Sequence, residues 1–434
     1  MGDKTARQTA LEVLEAVFQE GAYSHIAVKQ ALDRSRLSQT DKGLVTEIVY
    51  GTVARKITLE WYLSHYISDR NNLDGWVYRL LMMSLYQHLY LDKIPDHAIV
   101  DEAVKIAKRK KGADAYVNAL LRRLLSEDLP DIMTIKRENK RYSVQYSVPV
   151  WLVSRLIKEY GKKRAKQIFA SLHTKNKISL RVINPDDKTD LMKNLGAKPS
   201  QLSDSGIILD KGYVAATEAF KKGLVAIQDE TSQLVAPTLA IKGDEHILDA
   251  CSAPGGKTMH MASFLTTGTI TALDVHAYKL ELIKENAKRL HCEDHVTCQV
   301  LDVTQASDYF GEDRFDKILV DAPCSGTGLM RRKPDIKYHK EALDFKVLQE
   351  KQLAILDSVC RTLKKDGIII YSTCSIIREE NQDVVDLFLE SHPQFEFVPL
   401  AHREQTIMVE GCLLITPEQF GADGFFISQI RRIS

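Results

Sequence analysis

The chain has no run of about 18 apolar residues, so a membrane-spanning helix is excluded by length. Its first residues, Met1 to Phe18, lack the basic patch, apolar block and small-residue cleavage site of a secretory signal, and none is expected. Cysteine is scarce, with 7 in 434 residues, an odd number without the spacing of a disulfide scaffold. Free thiols in a reducing cytosol, and with them a cytoplasmic location, are the expectation. Neither an internal repeat nor a low-complexity tract is present. No sign of charge is in excess, since 59 Lys+Arg stand against 58 Asp+Glu. With 44% hydrophobic and 27% charged residues, the composition is globular and excludes a mainly disordered or fibrous chain. The length exceeds what one hydrophobic core organises, so two or three domains are expected.

The balanced charge hides an asymmetry. Residues 1–140 carry 21 Lys+Arg and 19 Asp+Glu, residues 141–235 carry 16 and 9, and residues 236–434 carry 22 and 30. A basic middle beside an acidic C-terminal segment suggests a polyanion held by one part and worked on by another. The plainer alternative is mixed surface charge falling unevenly.

Residues 1–140 read as an all-helical domain. Leu44, Val45, Ile48, Val49 and Val53 share one helical stripe, and Val77, Leu80, Leu81, Ser84 and Leu85 another. Ile99, Val100, Ala103, Val104 and Ala107 make a third, started by Pro95 and Asp96. Basic helix ends at Lys108 to Lys111 and at Arg122 and Arg123, with Lys162, Lys163 and Arg164 further on, favour a phosphate-binding surface. Residues 141–235 read as a small α+β module. Ile178, Leu180 and Val182 alternate with Ser179 and Arg181, Asn184 to Asp186 start a helix, and two short apolar strands end at Leu209 and Ile227. From 236 to 434 the order is β-α-β-α, with strands at Ile247–Ala250, Ile270–Asp274, Cys298–Leu301, Ile318–Asp321 and Gly367–Ser372. Short apolar strands alternating with amphipathic helices mean an α/β, Rossmann-like parallel sheet covered on both faces.

In such sheets ligands bind at the carboxyl ends of the strands. The first strand ends in Asp249 and runs through Ala250, Cys251, Ser252, Ala253, Pro254, Gly255, Gly256 and Lys257 into a helix. Glycines there let backbone amides approach a ligand, and the helix start favours negative charge. Asp274 ends the second strand, placed to accept the hydroxyls of a ribose. Asp302 follows the third, placed to meet an adenine amine. Gly256-Lys257-Thr258 matches the end of a P-loop, but Cys251 stands where that motif needs Gly, and no tight Gly-x-Gly serves a pyrophosphate. S-adenosylmethionine, which has no phosphate, fits better; no metal site is expected.

The fourth strand ends in Asp321, three residues before Cys324, and the fifth in Ser372, two before Cys374. Cys298 and Cys360 read as packed core residues, but two thiols at catalytic strand ends do not. Carbon 5 of a pyrimidine is too weak a nucleophile to take a methyl group until a thiolate adds to carbon 6. Asp321 could bond to the ring nitrogen and exocyclic amine of cytosine and favour that addition. Two thiols, one acid and a methyl donor therefore suggest a cytosine carbon 5 methyltransferase, with either Cys as the attacking group.

Phe315 through Gly326 resembles the signature of the NOL1/NOP2/Sun group of RNA 5-methylcytosine methyltransferases. Asp249 through Thr258 is similar to that group's cofactor loop, with Ser252 where Ala is usual. Tyr371 through Ser375, followed by Glu379, Glu380 and Asn381, resembles its nucleophile segment, and Asp423 through Phe426 its closing strand. The resemblance implies that Cys374 attacks and Cys324 helps release the product, the reverse of DNA cytosine methyltransferases, where the Pro-Cys thiol attacks. Arg7 to Leu14, Tyr50 to Val53 and Tyr116 to Arg122 look like the helical antitermination factor NusB. A NusB-like domain fused to this enzyme resembles bacterial ribosomal RNA methyltransferases and implies one cytosine of small-subunit (16S) ribosomal RNA as the target, with a monomer as the working form. The alternatives are a non-enzymatic NusB-like RNA-binding factor, against which the intact pair of thiols argues, and a transfer RNA methyltransferase of the same group.

Overall fold

The computed structural model describes residues 4–109 and 112–434. Lys110 and Lys111 of the basic stretch lie outside the described residues. The chain forms two compact units. One comprises the chain up to His173 together with Met330–Lys340; the other comprises Thr174–Leu329 and Glu341–Ser434.

The first unit is helical: α1 (Ala6–Gln19), α2 (Ser24–Asp33), α3 (Gln39–Ala54), α4 (Lys56–Leu63), α5 (Gly75–Tyr90), α6 (Asp96–Arg109), α7 (Asp114–Ser126), α8 (Glu138–Tyr146) and α9 (Val150–Ser171). Thr5 and Gln8 close a capping box at the start of α1, which satisfies backbone donors that the first turn leaves open. The apolar stripes of α3 and α5 meet Leu11 and Leu14 of α1 in one core. Residues Val77 to Gln87 of α5 are nearly all buried, so this helix is central rather than amphipathic. The helical unit runs past residue 140 and takes in α8 and α9.

The 330–340 segment belongs to the same unit although it comes from far along the chain. Asp335 and Lys337, both 1% exposed, anchor it. Asp335 accepts from the hydroxyl and backbone N–H of Ser24. Lys337 Nζ donates to the Ala54 carbonyl at 2.8 Å, and the Tyr338 hydroxyl lies 3.0 Å from Ser147 Oγ.

The second unit begins with β1 (Ile178–Val182), α10 (Lys188–Leu195), β2 (Lys198–Pro199), β3 (Gly206–Leu209), α11 (Glu218–Lys221) and β4 (Val225–Ile227). These strands form an antiparallel sheet in the order β2-β3-β1-β4. Ser179 and Arg181, which alternate with the apolar residues of β1, are both buried, because this sheet is covered on its second face as well.

The chain continues through α12 (Val235–Thr238), β5 (His246–Asp249), α13 (Gly256–Ala262), β6 (Thr269–Asp274), α14 (Ala277–Arg289), β7 (Val296–Val300), α15 (Ala306–Phe310) and β8 (Phe315–Asp321). It closes with α16 (Asp344–Thr362), β9 (Leu363–Thr373), α17 (Gln382–Ser391), β10 (Phe395–Val398), β11 (Met408–Val409), β12 (Cys412–Ile415) and β13 (Phe425–Arg432). The order across the main sheet is β11-β12-β13-β9-β8-β5-β6-β7, with β10 also on β13. Strands β5 to β9 are parallel and β13 runs antiparallel to β9. Neighbouring residues point to opposite cores: Ile247, Leu319 and Ile370 pack with α13 and α14, while Leu248, Ile318 and Ile369 pack with α16 and α17. Both faces are covered, as the continuous apolar runs require.

Candidate active site

Strand order reverses at β5, which has β6 on one side and β8 on the other. Such a switch point opens a crevice at the carboxyl ends of its strands. Here a cleft of about 210 Å³ is lined by Asp249, Cys251, Ser252, Ala253, Pro254, Gly256, Lys257 and Asp321. Ile227, Gln228, Asp229 and Ser232 line it too, and the sequence reading missed them. Ile227 ends β4 and the other three follow it, so the small sheet contributes directly to the cleft; the polar run Gln228 to Ser232 after an apolar strand was the signal that could have found those three. Gln228 accepts from Arg181 Nε at 3.0 Å and donates to the Gly256 carbonyl at 3.4 Å.

Local geometry shapes the loop. Gly255 has φ +96°, a left-handed value that favours glycine, and a Cβ there would come 3.2 Å from Ile283. Ser252 fixes the turn by donating its hydroxyl and its backbone N–H to the Leu273 carbonyl, at 2.7 and 2.9 Å. Asp249 is 1% exposed. Its Oδ2 accepts from Thr258 at 2.6 Å, and its Oδ1 has no partner. Burial first, and the charge of Asp321 after it, push the Asp249 carboxyl up to about 7. Lys257 Nζ bonds Asp321 Oδ2 at 2.7 Å, and Ser372 donates to Asp321 Oδ1 at 2.9 Å. Burial opposes the charge on Lys257, but Asp321 outweighs it and holds the ammonium above its ordinary value.

Asp274 and Asp302 stand at neighbouring strand ends. Asp274 accepts from the His276 N–H at 2.9 Å and faces Lys279 at 3.6 Å. Asp302 is exposed, and its Oδ1 caps a turn by accepting from Thr304 N and Oγ1 at 3.0 and 2.8 Å. Those bonds, the backbone one first, hold its carboxyl below the ordinary range.

The thiols meet because β8 and β9 pair in parallel with Asp321 opposite Ser372. Cys324 and Cys374 leave adjacent strand ends, are half-buried, and bring their sulfurs to 3.1 Å. The hydrogen bond with Cys374, then burial, pushes the Cys324 thiol well above its usual value. Two further backbones close around them. Gly328 N–H donates to the Cys374 carbonyl and Gly424 N–H to the Gly328 carbonyl, both at 2.9 Å. A Cβ on Gly328 would lie 2.1 Å from the Gly424 oxygen, which accounts for the Asp423-Gly424 motif at the entry to β13.

The donor set fits the cationic sulfonium cofactor expected from the sequence. A buried carboxylate oxygen without a partner faces a glycine-lined cleft. Among the described residues, no group of three or more His, Cys, Asp or Glu is arranged to hold a metal ion, and no helix is long and apolar enough to cross a membrane.

Comparison with known proteins agrees with this geometry. The profile of the 16S rRNA methyltransferase RsmB/F family matches residues 236–431, and that of the NusB family matches residues 4–126. The chain is 40% identical to the probable ribosomal RNA small subunit methyltransferase B of Bacillus subtilis, over all of both chains. It is 31% identical to the ribosomal RNA small subunit methyltransferase B of Pasteurella multocida, over 99% of this chain and 96% of that one. Among solved structures, PH0851 superposes with a TM-score of 0.83 at 23% identity, covering 98% of each chain, a likeness of fold. A methyltransferase homologue from Pyrococcus horikoshii gives 0.61 at 27% identity, covering 69% of this chain and all of that one. The chain belongs to the RsmB/F family of 16S rRNA methyltransferases and is an S-adenosylmethionine-dependent rRNA methyltransferase.

Proposed function

We propose that this enzyme methylates carbon 5 of a cytosine in small-subunit ribosomal RNA through a covalent adduct at Cys374. The observation that carries the reading is the pair of sulfurs 3.1 Å apart beside the Asp321–Lys257 ion pair. A packed structural pair of cysteines has no need of an acid and a cation at the same strand ends.

In this reading Asp249, the Gly255–Gly256 turn, Gln228 and Asp274 hold S-adenosylmethionine, with Asp302 beside its base. When bound, the cofactor supplies an electrophilic methyl group on a sulfonium. Asp321 orients the cytosine through its ring nitrogen and exocyclic amine, and Lys257 and Ser372 fix that carboxylate. The Cys374 thiolate adds its electron pair to carbon 6, and the displaced π pair makes carbon 5 enamine-like. After methylation the carbon 5 proton must leave and the carbon 6–sulfur bond must break, its pair returning to Cys374. Cys324 serves that exit. It keeps its own proton, passes it to the departing sulfur and takes the carbon 5 proton in exchange. The basic residues of α9, Lys162, Lys163 and Arg164, with Lys108 on α6, are proposed to contact RNA phosphates.

Denaturing electrophoresis with RNA and S-adenosylmethionine separates the two thiols. Cys374→Ala should bind both ligands, transfer no methyl group and form no adduct. Cys324→Ala should complete transfer and stall as a protein–RNA adduct that disappears in the double variant. An adduct from Cys374→Ala alone would reverse the roles. Near-normal turnover in both single variants would end the covalent reading.

A further inference from the structure

Beyond the ends of β8 and β9 the two cysteine loops are joined by the Gly328 N–H to Cys374 carbonyl bond and by Thr327 Oγ1, 3.0 Å from Ser375 Oγ, and their sulfurs are in contact. Glu380, six residues past Cys374 and fully buried, lies between them. A carboxylate removed from water must be met by donors or by a cation. Glu380 Oε1 accepts from the Ser325 backbone N–H at 2.7 Å and from Gln352 at 3.4 Å. Its Oε2 accepts from the hydroxyls of Ser325 and Ser375, both at 2.5 Å. Ser325 follows Cys324, and Ser375 follows Cys374, so one side chain grips the residue after each thiol. The Tyr371 hydroxyl, donating to the Glu380 carbonyl at 2.6 Å, anchors the gripping residue to β9. Asn381 braces the Cys374 loop from both sides: it accepts from Thr373 Oγ1 at 2.5 Å and donates to the Ser375 carbonyl at 2.9 Å.

We propose that Glu380 is a positioning residue whose carboxylate staples the Cys324 loop to the Cys374 loop and so sets the separation between the two thiols. The consequence for turnover rests on the division of labour assigned above to those thiols; the geometric claim does not. Only a carboxylate accepts from four donors at this point. An amide of the same shape keeps its oxygen for the Ser325 N–H only if its NH₂ donates to the two hydroxyls, which must then turn their own protons away, and a neutral acceptor holds both loops less tightly than a carboxylate does. No group of Glu380 reaches the cofactor cleft, so cofactor affinity should be spared.

Two readouts on Glu380→Gln test the claim in the full-length enzyme. The first is independent of which thiol attacks: diamide oxidises a close pair of thiols to a disulfide, and peptide mass mapping gives the rate of Cys324–Cys374 bond formation. The second is the yield of denaturation-resistant RNA adduct with S-adenosylmethionine, beside Cys324→Ala. Misplacing reacting groups by about 1 Å costs on the order of 100-fold. We therefore expect cross-linking and kcat each to fall roughly tenfold or more, KM for RNA to stay within about threefold, and adduct to accumulate. Wild-type cross-linking and turnover in Glu380→Gln would overturn the proposal even where Cys324→Ala stalls. Slowed cross-linking with no adduct from Cys324→Ala would keep the staple and overturn the thiol roles instead. Should Glu380→Gln lose cofactor affinity through misfolding, Ser325→Ala decides, because it leaves the carboxylate its other donors: slower cross-linking supports the staple, and an unchanged rate refutes it.

Discussion

Asp249→Asn should make the enzyme more stable and less able to bind its cofactor, and the gain should depend on pH in a calculable way. The buried carboxyl titrates near 7 against an ordinary 3.8. The folded protein therefore holds this proton more tightly than the unfolded chain. Its contribution to stability is fully present below about pH 4, falls as the pH rises, and is lost above about pH 7. A shift of about 3 units corresponds to about 4 kcal/mol. Asparagine keeps an acceptor for Thr258 but turns an unpaired NH₂ into the place of Oδ1, a pH-independent penalty of about 1–3 kcal/mol. The stability difference between variant and wild type should thus rise by about 4 kcal/mol from pH 4 to pH 8, and the variant should be the more stable form at pH 8. Urea unfolding followed by hydrogen exchange of the β5 amides across that range measures it, since Trp61, Trp76 and Trp151 all lie in the helical unit and would not report on β5. The same carboxylate, once beside a cation, should ionise. Calorimetry at pH 6 in buffers of different ionisation heat should then report release of up to about one proton per S-adenosylmethionine bound, absent in Asp249→Asn. A stability difference that is flat with pH would refute the reasoning, since it would mean that Asp249 is already ionised and paired in the folded protein.

Asp274→Ala should weaken S-adenosylmethionine binding by about 1–3 kcal/mol, the scale of hydrogen bonds to a charged group; unchanged calorimetric affinity in a folded variant would remove Asp274 from the site. Neutralising Lys163 and Arg164 should flatten the salt dependence of RNA binding by roughly 0.7 in log–log slope for each phosphate of a single strand that the variant leaves unneutralised. Lys162 bonds Glu138 at 2.7 Å, so its neutralisation should change the slope less than that of Lys163; an unaltered slope for all three would leave them as a solvated surface. Asp335→Ala strands the Ser24 hydroxyl and N–H and should cost the helical unit about 1–3 kcal/mol in urea melts, whereas unchanged melting would mean that the buried interaction adds nothing.

The strand-end residues were legible because their chemistry is written locally. Asp249, Asp321, Cys324 and Cys374 each follow an apolar run that can only be a buried strand, and parallel sheets bring such ends together. What was not legible depends on contacts between distant residues. Nothing in the sequence around Met330–Lys340 marks it as part of the helical unit, since its partners Ser24, Ala54 and Ser147 lie some 190 to 311 residues away. Arg181 alternates with the apolar residues of β1, a pattern that by itself is that of a strand with one wet face. It is buried, and its Nη1 and Nη2 find no partner among the described residues. The cleft residues after β4 were hidden for the same reason, because the small module read as a separate body has its end in the methyltransferase cleft.

The strand order also constrains the chemistry. The cofactor loop follows β5, the acid and the first thiol follow β8, and the second thiol follows β9, on three consecutive parallel strands. Neighbouring strands lie about 4.8 Å apart, so the ends of β5 and β9, from which the cofactor loop and Cys374 depart, are two spacings, about 10 Å, apart. In the proposed reaction a pyrimidine ring with a methyl group to receive would fill a gap of that size, and Asp321 on the middle strand would meet the ring from its edge. A thiol on β5 would compete with the cofactor for the same crevice, and one on β13 would face the strand from the antiparallel side. Cys251, at the end of β5, fits this logic: burial first, then the charges of Asp249, Asp321 and Asp274, push its thiol well above the ordinary value, so it stays protonated and out of the thiol chemistry proposed for Cys324 and Cys374.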